Sequence, residues 1–414
     1  SGFKLKLSRL KGMPAIKSPS KVQQSTPPNL DLDLDVSLGF GRRFFEVAKL
    51  DPSVLDLASE TTVQALAGRT FGISEYTDEV VRNIVFLDTE TTGLGYGAST
   101  YAFLVGLTYC VDGEWIGEQL FLEDPSQELY MLKYLAERLE RAEMLITYNG
   151  KSYDLPLLNV RMTMHQLPMI KMANHIDLYH LLRGILKYRI SRYRLCDVEV
   201  ALLDFERKDD ISGADIPAAY YDYLHGRDTG QLHQIISHNE FDVDSMVRLM
   251  NWTSALIGGH GALQDQKVEY GFLERLVNRR ERVGVMDRLL RLLNQARTQW
   301  VRTRCALLVY EVLKPDDLLS AMSVLIEHYD EAKGELRSTV AKRLAIHFEH
   351  HLKDYEQALT YAEETEPIDG CYAQRRRVIR LNGKIERHAH SKSAVTSQSL
   401  FKRFEAFGLR LLST

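Results

Sequence analysis

The sequence has few cysteines for its 414 residues, and the four that it has, Cys110, Cys196, Cys305 and Cys371, lie far apart. No C-x-x-C pair or Cys/His cluster occurs, which argues against a zinc site or a disulfide framework and favours a reducing cytoplasm. No run of 18 apolar residues occurs, so we expect no membrane-spanning helix. The basic N-terminal stretch lacks the apolar segment and the small-residue cleavage site of a secretory signal. These absences favour a cytoplasmic protein stabilised by its own core.

Charge is distributed unevenly, although the formal net charge is only −4. Residues 1–260 contain 26 Lys and Arg against 35 Asp and Glu, whereas residues 261–414 contain 26 against 21. An acidic region with clustered carboxylates can hold cations, and a basic region can hold phosphates. Ordinary solvated surface explains the same balance equally well.

The length suggests two to three domains, and the composition changes along the chain. Residues 1–38 mix Ser, Pro and Gln with alternating Asp and Leu, which predicts a disordered or extended tail. Residues 39–80 are expected to wrap onto the domain that follows. We predict that this domain covers residues 81–258, followed by a helical-repeat domain over 262–390 and a C-terminal tail over 391–414.

Strand and helix patterns within 81–258 predict an α/β fold. Strands are predicted at 84–88, 101–110, 115–123 and 144–149. The pair Asp112-Gly113 is a strong hairpin signal, and Leu residues at helical spacing predict a helix over 125–142. Helical patterns then dominate, at roughly 154–166, 178–187, 191–203 and 227–251. The order of elements predicts a mixed sheet with helices on its faces.

The chain shows no strand signal from about residue 262 onward. Helical patterns follow one another near 270–295, 298–313, 316–330, 334–351, 354–365 and 372–388. The segment 340–364 resembles one helix–turn–helix unit of a tetratricopeptide-like array, but no clean 34-residue period emerges. We therefore predict an all-α, tetratricopeptide-like helical array.

Two carboxylates close the first apolar strand, in the motif LDTETTG of residues 87–93. Side chains at positions i and i+2 of a strand point the same way, so Asp88 and Glu90 face one side. Two acids at the end of a buried strand repel each other unless cations lie between them. The alternative is a solvated loop that carries two acids.

Further acids follow in helical segments. Asp154 stands near the start of a helix after the turn pair Asn149-Gly150, and its alternative role is to cap that helix. His238 and Asp242 are four residues apart and share one helix face, whereas Asp244 lies about 240° round from His238. The alternative for this pair is an exposed His and Asp on a helix surface.

Together, these acids can meet at one edge of a mixed sheet, as phosphodiester hydrolysis requires. Two divalent ions about 3.5–4 Å apart stabilise the attacking and leaving oxygens of an in-line displacement. Hard ions such as Mg²⁺ prefer oxygen ligands, which carboxylates supply. A neighbouring histidine can take the proton from the attacking water.

The motifs DTETTG, N-x-x-x-Y-D and H-x-x-x-D resemble those of the DnaQ-like exonucleases of the DEDD superfamily, whose fold is ribonuclease-H-like. Residues 84–255, the run 195–224 and the helical tail resemble the bacterial YprB-type exonucleases, also called mitomycin repair factor B. The resemblance implies a metal-dependent 3′→5′ exonuclease that uses two Mg²⁺ or Mn²⁺ ions. It further implies that Asp88, Glu90, Asp154 and Asp242 are the metal ligands and His238 the general base.

One spacing departs from the superfamily pattern. Members that use His usually place it five residues before the final Asp, whereas here the gap is four, the spacing usual for members that use Tyr. The resemblance also implies a bacterial cytoplasmic protein that acts on DNA in repair, with a helicase partner. A monomer is the expected oligomeric state.

Three other functions remain open. An exoribonuclease would share the mechanism, since discrimination of the sugar depends on contacts to the 2′-OH. A ribonuclease H-type endonuclease has four acids, but its glutamate does not follow the first Asp by two residues. A helical-repeat scaffold with an inactive nuclease domain is the non-enzymatic alternative.

Basic stretches interleaved with aromatic residues are candidates for holding a nucleic acid. One lies at 181–195 and another at 374–380. Lys and Arg on phosphates, with stacking aromatics, hold single strands without sequence preference, although solvated helix faces are the alternative. We predict nucleic-acid contacts at Thr91, Asn149, Lys187, Arg189, Arg192, Arg375, Arg376 and Arg377.

Overall fold

The computed structural model describes residues 34–51, 83–93, 95, 97, 99–227, 230–258, 265–280 and 284–391. The chain divides into two compact units, residues 1–261 and 262–414. Most of the two predicted tails, and residues 52–80 of the predicted wrapping segment, lie outside the described residues. Within the described ranges, no helix combines the length and hydropathy that crossing a membrane requires.

The described residues of the first unit form a six-stranded mixed sheet at its centre, in the strand order β1–β4–β3–β2–β5–β6. The strands are β1 (Gly41–Glu46), β2 (Ile84–Thr91), β3 (Ala102–Val111), β4 (Glu114–Phe121), β5 (Met144–Thr147) and β6 (His175–Asp177). The neighbouring strands β1, β4, β3 and β2 pair antiparallel, whereas β5 and β6 run parallel to β2. The predicted mixed sheet is confirmed.

The hairpin between β3 and β4 forms where the sequence predicts it. Asp112 and Gly113 adopt φ values of 52° and 82°, the positive values that a two-residue type I′ turn requires. The two edge strands, in contrast, are not predicted by the sequence pattern. β1 lies within the predicted wrapping segment and pairs with β4 from Gly41↔Phe121 to Glu46↔Ile116.

The described residues of the first unit also form six α-helices. They are α1 (Glu128–Glu140), α2 (Asp154–Met164), α3 (Leu178–Leu186), α4 (Leu195–Leu203), α5 (Ile216–Leu224) and α6 (Gly230–Ile257). The predicted helix 191–203 begins only at Leu195, since Arg194 is extended with ψ 151°. The last helix, α6, packs against β2, β3 and β4, and so brings its side chains to the centre of the sheet.

The close contact between α6 and the sheet depends on a glycine. A Cβ atom at Gly106 of β3 would lie 2.3 Å from the Asn239 side-chain oxygen, which real structures do not tolerate. Because Gly106 has no side chain, the amide of Asn239 can enter the sheet surface beside β2.

The second unit has no strand among its described residues. Its helices are α7 (Gln266–Asn278), α8 (Val285–Asn294), α9 (Gln299–Leu313), α10 (Leu318–Tyr329), α11 (Gly334–His347), α12 (Tyr355–Ala362), α13 (Glu366–Asp369) and α14 (Cys371–Ser391). The predicted segment 270–295 is two helices, because Arg280 and Gly284 adopt positive φ between them. A core that includes Met322, Leu325 and Leu344 holds this unit together.

Candidate metal and catalytic site

The site begins at the end of β2. This strand lies between β3 and β5, and its residues Ile84 to Leu87 are buried, so its direction is fixed by the core. Asp88 and Glu90 follow on the same face, as their i, i+2 spacing predicts. Pairing with β3 shifts register between Glu90 and Thr91, so the regular ladder is interrupted directly after the second acid.

Asp154 is the first residue of α2, which follows β5. The N-cap position belongs to Tyr153, and the side chain of Asp154 instead accepts a hydrogen bond from the Thr89 hydroxyl on β2. Asp154 is therefore not the N-cap residue of α2, and its carboxylate contacts β2. This hydrogen bond places Asp154 beside the two acids of the strand.

The turn before α2 is held by Asp177 at the end of β6. Asp177 accepts hydrogen bonds from the backbone N–H groups of Asn149 (2.9 Å) and Lys151 (3.1 Å). A Cβ atom at Gly150 would lie 2.6 Å from the Thr147 side chain, so this position requires glycine. The turn pair Asn149-Gly150 thus directs the chain into α2 with Asp154 facing β2.

His238 and Asp242 complete the cluster from α6. His238 Nε2 lies 3.5 Å from Asp242 Oδ2 and 3.9 Å from Glu90 Oε1. One possible ligand atom from each of Glu90, His238 and Asp242 lies within 4.8 Å of the others. Asp244 lies elsewhere, as predicted, and accepts a hydrogen bond from the Ala48 N–H at 2.6 Å.

Asn239 links the helix to the first acid. Its Nδ2 donates to Asp88 Oδ2 at 2.9 Å, and its Oδ1 accepts from Gln119 Nε2 at 3.0 Å. Gln119 also donates to the Ile236 carbonyl at 2.8 Å, so both amides are oriented. A buried amide network therefore holds one oxygen of Asp88 in place.

The loop between α4 and α5 supplies two further residues that contact Asp242 and His238. Arg207 donates through Nη2 to Asp242 Oδ1 at 2.5 Å and also pairs with the buried carboxylate of Glu199. Its side chain is only 4% exposed. Asp210 lies 2.7 Å from His238 Nδ1, the ring nitrogen opposite to the one near Glu90. The loop thus contacts both His238 and Asp242 of α6.

The electrostatics of the acids favour bound cations. Burial, and then the charges of Asp242 and Asp154, raise the pKa of Asp88 well above its ordinary value. Burial and the charge of Asp88 do the same for the pKa of Glu90. Burial raises the pKa of Asp154 to about 6, with Asp177 and Asp242 adding to the effect. Crowded buried carboxylates of this kind suit a divalent cation with oxygen ligands.

A cavity of about 700 Å³ adjoins the site. It is lined by Lys187, Tyr188, Arg189, Ile190, Ser191, Arg192, Cys196, Asp197, Val200, Glu206, Arg207 and Asp210. Three predicted nucleic-acid contacts, Lys187, Arg189 and Arg192, therefore line one cavity with Arg207 and Asp210, which contact the acids and the histidine. Lys187 Nζ lies 4.8 Å from the ring centre of Tyr188.

The other predicted contacts have different surroundings. Thr91 donates its hydroxyl to the Gly93 carbonyl at 2.8 Å, just after Glu90. Arg375 and Arg376 are exposed on α14 of the second unit. Arg377 on the same helix pairs with Asp369 and is 15% exposed. The guanidinium of Arg377 is thus already paired with a carboxylate of the same unit.

Sequence reasoning does not find Arg207, Asp210 or Asn239. Asn239 stands next to a predicted residue, but its role depends on Gly106 of β3, which lies opposite Asp88 in the sheet. Arg207 and Asp210 lie in the run 195–224 that carries the family resemblance, which is the one signal that could have drawn attention to them. Their roles depend on a loop meeting α6, which no local pattern encodes.

The comparison with protein-family models agrees with the fold. A model of the RNase H superfamily matches residues 85–254. YprB of Bacillus subtilis (strain 168), described as an uncharacterized protein, is 27% identical over 312 residues, which are 73% of this chain and 75% of YprB. The family B DNA polymerase of the hyperthermophilic archaeon Pyrobaculum calidifontis aligns with a TM-score of 0.35 and 15% identity, over 47% of this chain and 28% of the polymerase. The matched superfamily region includes all four acids and His238.

Proposed function

We propose that this chain, which carries a nuclease domain of the RNase H superfamily and is similar to YprB, is a metal-dependent exonuclease that removes nucleotides from the 3′ end of DNA. The observation that carries the proposal is the convergence of Asp88, Glu90, Asp154 and Asp242 from one strand and two helices. The spacing Asp88-x-Glu90 favours an exonuclease over a ribonuclease H-type endonuclease.

The four carboxylates would hold two divalent ions, Mg²⁺ or Mn²⁺. When bound, such ions neutralise charge on the phosphate and activate water near neutral pH. Thr89 orients Asp154 and Asn239 orients Asp88, so two of the carboxylates are placed before any ion arrives. This preorganisation lowers the cost of assembling the site.

His238 would act as the general base. Its Nε2 is directed at Glu90 and Asp242, so a water molecule at the acids lies within its reach. The four-residue spacing to Asp242 puts the imidazole one helical turn away on the same face. The spacing that departs from the superfamily pattern therefore still brings the ring to the acids.

The cavity beside the site would receive the nucleic-acid strand. Lys187, Arg189 and Arg192 offer positive charge to phosphates, and Tyr188 offers a ring on which a base can stack. Thr91 and Asn149, near the acids, would contact the terminal nucleotide. Charge and stacking without base-edge readout favour a single strand of any sequence.

The biological setting is proposed from the family resemblance. DNA repair, a helicase that supplies unwound strands, and a monomeric enzyme fit a nuclease that acts on single strands. The helical second unit, with exposed Arg375 and Arg376, would bind nucleic acid or a protein partner and contribute no chemistry.

End-labelled substrates test the proposal. DNA and RNA, single- and double-stranded and labelled at the 3′ or the 5′ end, are digested with Mg²⁺, with Mn²⁺ and with excess chelator. We expect early loss of the 3′ label from single-stranded DNA, dependent on metal and absent in Asp88→Asn. Faster loss from RNA would reassign the substrate, and undiminished cleavage in chelator would refute the metal mechanism.

A further inference from the structure

The loop between α4 and α5 reaches the imidazole of His238. It carries Asp210, whose Oδ1 lies 2.7 Å from His238 Nδ1. The other imidazole nitrogen, Nε2, faces Glu90 and Asp242. The ring of His238 is therefore held between a carboxylate on one side and the acidic cluster on the other.

Asp210 is itself held in place. Its second oxygen, Oδ2, lies 3.4 Å from Nη1 of Arg207, which is anchored on Glu199 of α4. The loop is also fastened to α6, since Gln234 Nε2 donates to the Asp209 carbonyl at 3.2 Å. Asp210 is thus a fixed acceptor, with a side chain only 18% exposed.

We propose that Asp210 is a positioning residue for the hydrolytic step, an assignment that rests on the proposed function of His238. An ionised carboxylate can only accept hydrogen bonds, so the proton of the neutral imidazole must lie on Nδ1. Nε2 is then left with its lone pair directed at the acids. Asp210 fixes both the tautomer and the orientation of the ring.

This arrangement serves the attack of a water molecule on the scissile phosphate. The water oxygen bonds to phosphorus while its proton passes to His238 Nε2, and the bond from phosphorus to the 3′ oxygen of the preceding nucleotide breaks. The departing oxygen takes a proton from solvent. Asp210 touches none of the reacting atoms and acts through His238 alone.

Three variants of the full-length, Mg²⁺-loaded protein separate positioning from structure. Asp210→Ala removes the acceptor, and we expect kcat to fall about 10- to 100-fold, part of the roughly 10²–10⁴-fold that a general base contributes. Asp210→Asn keeps a side-chain carbonyl that can accept from Nδ1, so it should remain within about 5-fold of wild type. The control Asp209→Asn removes the same charge from the exposed neighbouring residue and should leave kcat unchanged.

Coupling to His238 provides the decisive comparison. If Asp210 acts through the ring, Asp210→Ala costs nothing further in a His238→Ala background. Equal losses in both backgrounds would show that Asp210 supports the fold rather than the ring. Wild-type kcat in Asp210→Ala, with His238→Ala still impaired, would overturn the positioning role and leave the proposed function intact.

A readout that needs no nuclease activity keeps the two proposals distinguishable. In ¹⁵N-histidine-labelled full-length protein at alkaline pH, the signal that His238→Ala removes should report a proton on Nδ1 and none on Nε2. Asp210→Ala should mix the tautomers. A proton on Nε2 in the wild type would overturn the inference, whereas failure of the proposed function would appear as absent metal-dependent cleavage with the tautomer unchanged.

Discussion

The carboxylate of Asp154 illustrates how single side chains define this site. It lies at the start of α2 and accepts from Thr89, and burial raises its pKa to about 6. An acid whose pKa is raised by folding binds protons more tightly in the folded state, so its ionisation opposes folding. In metal-free protein, this residue therefore lowers stability as pH rises from about 4 to about 6, and the loss persists above that range.

Replacing Asp154 by Asn tests whether ionisation of this carboxylate lowers the stability of the metal-free protein. In metal-free protein at neutral pH, Asp154→Asn should raise the free energy of unfolding by on the order of 2 kcal/mol, or Tm by a few degrees. Mn²⁺ should raise the Tm of this variant by less than it raises the Tm of the wild type. Calorimetry from pH 4 to 8 measures both, with Asp244→Asn as the control. A metal-free variant that is less stable than wild type at neutral pH would contradict the account.

Arg207 is the cation that the structure places against the acids. It is buried between Glu199 and Asp242, and Glu199 is fully buried. Arg207→Gln should lower the free energy of unfolding by about 3–5 kcal/mol, because Glu199 then keeps an uncompensated buried charge. Arg207→Lys should recover only part of this, since an ammonium lacks the paired donors of guanidinium.

An exposed arginine supplies the control for Arg207. Arg227 pairs with Asp222 at 3.3 Å and is 62% exposed. Arg227→Gln should cost no more than about 1 kcal/mol. Denaturant titration measures all three variants, and equal losses for Arg207→Gln and Arg227→Gln would show that the Glu199–Arg207–Asp242 chain does not hold the site together.

At the scale of elements, segments with an apolar run or a regular period are predictable from the sequence, and segments without either are not. β2, β3 and β4 carry apolar runs, and α6 places His238 and Asp242 on one face by its 3.6-residue period. The edge strand β6 has only three residues, and β1, with the sequence GRRFFE, shows neither an apolar run nor a regular polar–apolar alternation. The loop with Arg207 and Asp210 has no period, so its contacts arise only when α4 and α6 pack together.

The last described helix, α14, presents one exposed face. Tyr372 and Ile379 are 75% and 71% exposed, and Arg375 and Arg376 lie between them at i+3 and i+4. Arg376 lies 5.7 Å from the Tyr372 ring centre. Arg377 and Arg380 instead pair with Asp369 and Glu349. The basic stretch of the sequence therefore divides into an outward-facing pair and a structural pair.

This division makes a testable prediction about binding. Replacing Arg375 and Arg376 by Ala should weaken binding of single-stranded DNA and reduce the slope of log affinity against log salt by about 1–2. Arg377→Ala should lower stability and leave that slope unchanged. Fluorescence anisotropy over a range of salt concentrations decides between them. An unchanged slope in the double variant would indicate a protein partner for this face.

At the scale of the whole molecule, the two units differ in what the sequence reveals. The order of strands and helices predicts the mixed sheet of the first unit, and the matched superfamily region, residues 85–254, covers this sheet from Val85 of β2 to β6 but not β1. The second unit is predicted as helical, but α8 begins only after a break that includes Arg280 and Gly284. Neither the charge balance nor the helix spacing of the second unit specifies a ligand. The proposed path of the substrate is therefore based on the cavity beside the acids of the first unit.

Titration of the full-length protein with Mn²⁺ by calorimetry tests the central claim, that four acids from one strand and two helices form one metal centre. Above the pH at which Asp154 ionises, wild type should bind two ions per chain. Single replacements of Asp88, Glu90, Asp154 or Asp242 by the matching amide should each remove or weaken binding at least about 10-fold, whereas Asp244→Asn should bind as wild type. Undiminished binding in Asp88→Asn, or no binding by wild type, would contradict the account.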